Sequence, residues 1–179
     1  MSATPWQIGD IPGPKQAHII KPEMFLKVAK TLRRPLIVVG SRKEALEGKD
    51  IANYIVMLAK SINSPLAVSP SLFKNFMKFE DIKVVCMGIE DLVNRLKEKE
   101  WEGFDGKGNY DSVLFIGGVY YFQSLMLSTL KHFAPYLKTF SMDRFYHPNA
   151  DFSFENMNEE RWVQEFKNMV EMIKSSLSS

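Results

Sequence analysis

Short unbroken apolar runs, each stopped by glycine or a turn and separated from the next by a helical stripe, constrain this chain more than any other feature. Leu36-Ile37-Val38-Val39 stops at Gly40-Ser41, Val84-Val85-Cys86-Met87 at Gly88, and Val113-Leu114-Phe115-Ile116 at Gly117-Gly118. Pro65 to Val68 and Leu137 to Ser141 read as further strands, with a short sixth around Asp151 to Phe154. Runs without polar alternation suit strands covered on both faces, the condition of a parallel sheet. Between them lie helical stripes such as Ile51, Ile55, Leu58, Ala59 and Ile62, and a last one through Trp162, Phe166, Met169, Val170, Ile173 and Leu177. The alternation predicts an α/β fold: a doubly wound, mostly parallel sheet of five or six strands, Rossmann-like, with helices on both faces. If the strands, counted from Leu36, take the order 3-2-1-4-5, the topological switch lies between the first and the fourth.

The chain has 179 residues, enough for one domain of ordinary size. Residues 21–179 form that domain. Residues 1–20, with Pro5, Pro12, Pro14, Gly9 and Gly13, read as an extended arm carrying Trp6, Ile8 and Ile11 as apolar beads. Pro22 opens the first helix, where its missing N–H costs nothing, and Pro35 is expected to end it.

The charge balance, 23 basic against 21 acidic residues, argues against nucleic acid as a partner. The densest basic patch, Lys27, Lys30, Arg33 and Arg34, suits the exposed face and C-terminal end of a helix. A single cysteine, Cys86, cannot form a disulfide within the chain or supply an all-cysteine cluster, and its strand position suggests a small buried hydrophobe. His18, His132 and His147 show no metal-ligand spacing. Asp105, Asn109 and Asp111 lack the spacing of a calcium loop and read as turn formers. No metal is expected in this chain. No signal peptide and no membrane-length apolar run appear, so the expected location is the cytoplasm.

Two strands that end in glycine turns beside a switch point would flank one crevice. Gly40, Ser41, Gly117 and Gly118, with Ser69 after the second strand and Asp143 after the fifth, are the candidate residues for a flavin or nucleotide. Glycine lets the backbone approach a ligand, and an acid after a strand holds a ribose hydroxyl in dinucleotide folds. Neither turn carries the full dinucleotide fingerprint or a P-loop lysine, and no nucleophile elbow is present, so no catalytic residue is assigned. Tyr120, Tyr121, Arg144, Phe145 and Tyr146, together with Trp6, are the interface candidates, because aromatics and arginine anchor protein contacts.

Several segments carry a resemblance: Arg34-Pro35-Leu36-Ile37-Val38-Val39-Gly40, Trp101 through Asp111, Phe115-Ile116-Gly117, and Asp143 through Phe154. Their order and spacing resemble the epsilon subunit of the archaeal carbon monoxide dehydrogenase/acetyl-CoA decarbonylase–synthase complex, from about Lys21 to the C-terminal helix. The resemblance implies a fold like the FAD/NAD-binding middle domain of thiamine-diphosphate enzymes. It implies a subunit without activity of its own that binds and stabilises the metal-cluster-bearing alpha subunit, where CO is oxidised, and assists electron transfer to a flavin, FAD, or another acceptor. Self-association is a further expectation. The alternative is a flavin- or nucleotide-binding α/β protein acting independently.

Overall fold

Successive side chains on a strand point to opposite faces, so an apolar strand needs two covers. In the computed structural model, which describes residues 16–42 and 50–177, Ile37 and Val39 enter one core while Leu36 and Val38 enter another. The element order is β1 (His18–Ile19), α1 (Pro22–Ala29), β2 (Pro35–Val39), α2 (Ile51–Ser61), β3 (Leu66–Val68), α3 (Phe73–Phe76), β4 (Val84–Cys86), α4 (Ile89–Lys97), β5 (Ser112–Ile116), α5 (Tyr120–Phe133), β6 (Lys138–Ser141), β7 (Phe152–Ser153) and α6 (Glu159–Leu177).

All strands pair in parallel in one seven-stranded sheet, ordered β1-β7-β6-β5-β2-β3-β4. Within it, β4-β3-β2-β5-β6 is the 3-2-1-4-5 arrangement, and β2 and β5 are neighbours across the switch, with Val39 opposite Ile116. The sheet has one strand more than the upper end of the expected five or six. His18–Ile19, at the end of the arm, pairs with Phe152–Ser153 and extends the edge. Ile20 N–H also donates to Ser153 O at 3.0 Å. Trp6, Ile8 and Ile11 lie outside the described residues.

One face is covered by α1, α2 and α6, the other by α4 and α5. Trp162, Phe166, Met169, Val170 and Ile173 of α6 are buried in the first core. Trp162 Nε1–H donates to Met142 O at 2.8 Å, which satisfies the one polar atom of that indole and fixes the helix to the end of β6. Pro22 does open α1, but the helix ends at Ala29, well before Pro35, which is the first residue of β2. The end of α2 is set by Asn63 at φ 52°: Ser64 N–H returns to Ala59 O and Asn63 N–H to Lys60 O, with Pro65 forbidding further helix. Cys86 is exposed rather than buried, because β4 is the sheet edge and the end of its outer strand has no cover.

The 103–109 loop is built around Arg34. Its guanidinium donates to Asp105 Oδ1 at 2.7 Å, to Gly108 O at 2.8 Å and to Asn109 O at 3.3 Å, and it lies over the Tyr110 ring. The hydrogen bond to Asp105 raises the Arg34 pKa further and lowers that of Asp105. Arg34 is therefore a loop clamp, not a decoration of the helix end. Gly103, Gly106 and Gly108 take φ of 68°, 71° and 100°, which the loop needs and side chains resist.

Candidate functional site

The C-terminal ends of β2 and β5 turn away from the sheet on glycine. Gly40 N–H donates to Ile116 O at 2.8 Å, and a Cβ at Gly40 would fall 2.5 Å from both Gly117 O and Gly118 Cα. The two turns are packed backbone on backbone, which only glycine allows at Gly40. Gly117 takes φ 72° and swings the chain into Val119, whose extended backbone starts α5.

Gly40, Ser41, Ser69 and Gly118 line one cavity of about 180 Å³, together with Ile89, Val119, Phe122 and Gln123. The structure thus brings together four of the six residues singled out for a crevice. Gly117 and Asp143 lie behind its wall. Ser69 Oγ–H donates to Gly40 O at 3.0 Å, tying the end of β3 to the first turn.

Asp143 is fully buried behind the second turn. Its Oδ1 accepts Gly117 N–H at 2.7 Å and its Oδ2 accepts Gln123 Nε2–H at 2.7 Å. Burial pushes its pKa upward, and this outweighs the two hydrogen bonds and the nearby Arg42 charge, which favour the carboxylate. Gln123 Nε2–H also reaches Ser141 Oγ at 3.2 Å, while Gln123 Oε1 is buried without a partner. That oxygen sits over Gly118, 1.9 Å from where a Cβ would be. Sequence reasoning missed Gln123. Its signal was a lone amide at the helical spacing of Leu127 and Leu130, on the face that α5 buries.

The rim beyond is aromatic and basic. Tyr120 stacks on His147 with ring centroids 4.4 Å apart, and the Phe145 ring meets the guanidiniums of Arg144 at 4.5 Å and Arg42 at 5.8 Å. Tyr120 and Tyr121 are exposed, and Arg144, Phe145 and Tyr146 are half-buried. Tyr146 is also structural: its hydroxyl accepts Ala17 N–H at 2.7 Å and donates to Ala17 O at 2.8 Å. Burial, aided by the Arg42 charge, lowers the His147 pKa from 6.5 to about 4, so the ring is neutral near pH 7. Trp6, the remaining interface candidate, lies outside the described residues.

A cofactor the size of FAD asks for more space than this. Pockets for such ligands run to roughly 300–1,000 Å³, with convergent polar groups. Here the cavity is smaller, and Gln123 fills the approach to Gly118. Among the described residues no group of three or more histidine, cysteine or acidic side chains is placed to hold a metal ion, and no helix is long and apolar enough to cross a membrane.

Residues 1–170 match the family described as CO dehydrogenase beta subunit/acetyl-CoA synthase epsilon subunit. A relative from Methanothermobacter thermautotrophicus, named acetyl-CoA decarbonylase/synthase complex subunit epsilon, is 38% identical over 168 residues, 92% of this chain and 93% of the relative. One of the same name from Methanothrix soehngenii is 35% identical, over 86% of this chain and 81% of its own. The subunit named epsilon 1 from Archaeoglobus fulgidus is 34% identical, over 89% and 85% respectively.

Proposed function

Since the chain belongs to the CO dehydrogenase beta subunit/acetyl-CoA synthase epsilon subunit family, we propose that it is a non-catalytic accessory subunit of an acetyl-CoA decarbonylase/synthase complex. It docks on the alpha subunit, the bearer of the metal clusters, and stabilises it. The relatives are named as subunits of such a complex, and that is the coarse part of this reading.

The observation that carries the finer part is the contrast between crevice and rim. The position where a Rossmann-like fold holds its ligand is narrowed by the chain's own Gln123, which lies over Gly118. The rim presents Phe145 in contact with two arginines and Tyr120 stacked on His147. Rigid aromatics and arginines are the side chains that anchor protein contacts. An electron-passing role through an FAD in this crevice gains no support from its size.

The test is co-purification of the tagged chain with the alpha subunit. Wild type should retain alpha and lengthen its thermal half-life. The Arg144→Ala/Phe145→Ala variant should lose most of both, since rim anchors of this kind cost about 1–4 kcal/mol each when truncated. An alpha complex isolated whole without this chain, or a variant that binds alpha as well as wild type, overturns the reading.

A further inference from the structure

The strands of this sheet begin, as well as end, at a concavity. Pro35 opens β2, Pro65 precedes β3 and Lys83 precedes β4, and these three neighbouring starts line a cavity of about 440 Å³. It is more than twice the size of the cavity beside Gly40 and lies at the opposite end of the strands.

The lining is charged, and unevenly so. Five cations, Arg33, Arg34, Lys60, Lys83 and Lys107, are set against two carboxylates, Asp81 and Asp105. The whole chain balances 23 basic residues against 21 acidic ones, so this excess is a local concentration and not the average of the surface. Both carboxylates are engaged, Asp81 by Lys60 and Asp105 by Arg34. Lys83 Nζ donates to Phe104 O, which leaves its charge uncompensated. Among the described residues no carboxylate pairs with the side chain of Arg33, Lys83 or Lys107. Asp111, outside the lining, accepts Arg33 N–H and Ser112 Oγ–H.

We propose that this cavity binds a compact oligophosphate anion, with Arg33, Lys83 and Lys107 supplying the charge. The three come from separate segments: the turn before β2, the lead into β4 and the 103–109 loop. Like charges held around one space repel, and an anion placed among them offsets that cost. Linked phosphoryl groups can meet several separated cations at once, and the arginine fork suits phosphate geometry. Arg34 is the positioning residue, because its bonds to Asp105 and Gly108 fix the loop on either side of Lys107. The C-terminal end of α2 borders the cavity and its dipole would oppose an anion, but the carbonyls of Leu58, Ala59 and Lys60 already accept the N–H groups of Ile62, Ser64 and Asn63. The volume falls in the range of small-ligand sites. A free pyrophosphate or triphosphate and the phosphate chain of a nucleotide share this chemistry. The proposal goes beyond the subunit reading and does not rest on it, since Arg144 and Phe145 follow β6 at the other end of the sheet.

The test is calorimetric titration of the full-length chain, at about 0.15 M salt to screen diffuse attraction, with pyrophosphate, tripolyphosphate, a nucleoside triphosphate and the non-phosphate trianion citrate. Pyrophosphate or tripolyphosphate should bind saturably, one per chain, and raise Tm. Arg33→Ala/Lys107→Ala, at two exposed positions, should keep the far-ultraviolet circular dichroism and bind at least about tenfold more weakly. The charge-keeping Arg33→Lys/Lys107→Arg should bind like wild type. Lys74→Ala/Lys174→Ala removes two exposed lysines outside the lining and should leave affinity unchanged. A nucleoside triphosphate that binds more tightly than tripolyphosphate identifies a nucleotide as the source; equal affinity identifies the phosphate chain alone. Four results would overturn the proposal: no saturable binding, citrate binding as tightly as the phosphates, an Arg33/Lys107 alanine variant that binds like wild type, or an equal loss in the Lys74/Lys174 variant. Alpha binding is read separately, through Arg144 and Phe145, so either idea can fail alone.

Discussion

Asp143 accepts the backbone N–H of Gly117 at 2.7 Å, and so the end of β6 fixes the turn that follows β5. The same carboxylate holds Gln123 and lies out of solvent. Its pKa is raised above 3.8, so the stability it contributes is complete below that value and declines as pH rises through the folded-state pKa. Asp143→Asn keeps an acceptor for Gly117 and loses the buried charge. Its amide N–H₂ can meet Gln123 Oε1 once that carboxamide rotates. We expect it to match or exceed wild type in urea melts at pH 8, with the difference growing as pH rises. Asp143→Ala should cost about 1–3 kcal/mol, because Gly117 N–H is then buried without a partner.

His147 shows the opposite slope. Its folded-state pKa of about 4 lies below the ordinary 6.5, so the unfolded chain takes up a proton that the folded chain refuses. Stability from keeping the ring neutral is complete above pH 6.5 and is lost as pH falls toward 4. The loss is up to about 3 kcal/mol. Urea melts of wild type and His147→Gln from pH 7.5 to 4.5 should converge toward the acid end by that amount. Parallel curves would refute the assignment.

The seam between the glycine turns makes a prediction that separates two kinds of crowding. Gly40→Ala would drive a Cβ into Gly117 O and Gly118 Cα, atoms of a backbone that cannot yield, and should cost roughly 3 kcal/mol. Gly118→Ala meets mainly the Gln123 side chain, with Oε1 at 1.9 Å and Cδ at 2.9 Å. Combined with Gln123→Ala it should cost clearly less than the sum of the two single changes, a non-additivity that a double-mutant cycle measures. Gly40→Ala with Gln123→Ala should show no such relief.

Arg34→Lys tests the loop clamp. Lysine keeps the charge near Asp105 but cannot span Asp105, Gly108 and Asn109 with one planar fork. The partly exposed site limits the loss to about 1–2 kcal/mol. Amide exchange should rise selectively over residues 103–109; a uniform rise, or none, would show that the glycine-rich loop holds itself.

The central strands were legible because their evidence is in the side chains. Leu36 to Val39 and Val113 to Ile116 are apolar at every position, and only a strand between two helical layers can bury such a run. The same evidence fails at the edges. His18–Ile19 pairs through backbone alone, both side chains are exposed, and two residues carry no periodicity. Cys86 looked buried because the apolar run around it resembles a central strand, whereas its place at the edge is a property of the whole sheet. The crevice residues were found through glycine, which records where backbones approach. That the approaching group is another turn of the same chain, with Gln123 beside it, is a matter of register that no local pattern encodes.

The bond from Trp162 to Met142 has a consequence for biosynthesis. Side chains of α6 seal the layer that α1 and α2 begin, yet they emerge from the ribosome after every strand has been made. A nascent chain that has reached Ser153 holds a complete set of strands with one greasy flank only partly covered. Chaperone capture should therefore peak in that interval and fall away once Ile173 clears the exit tunnel.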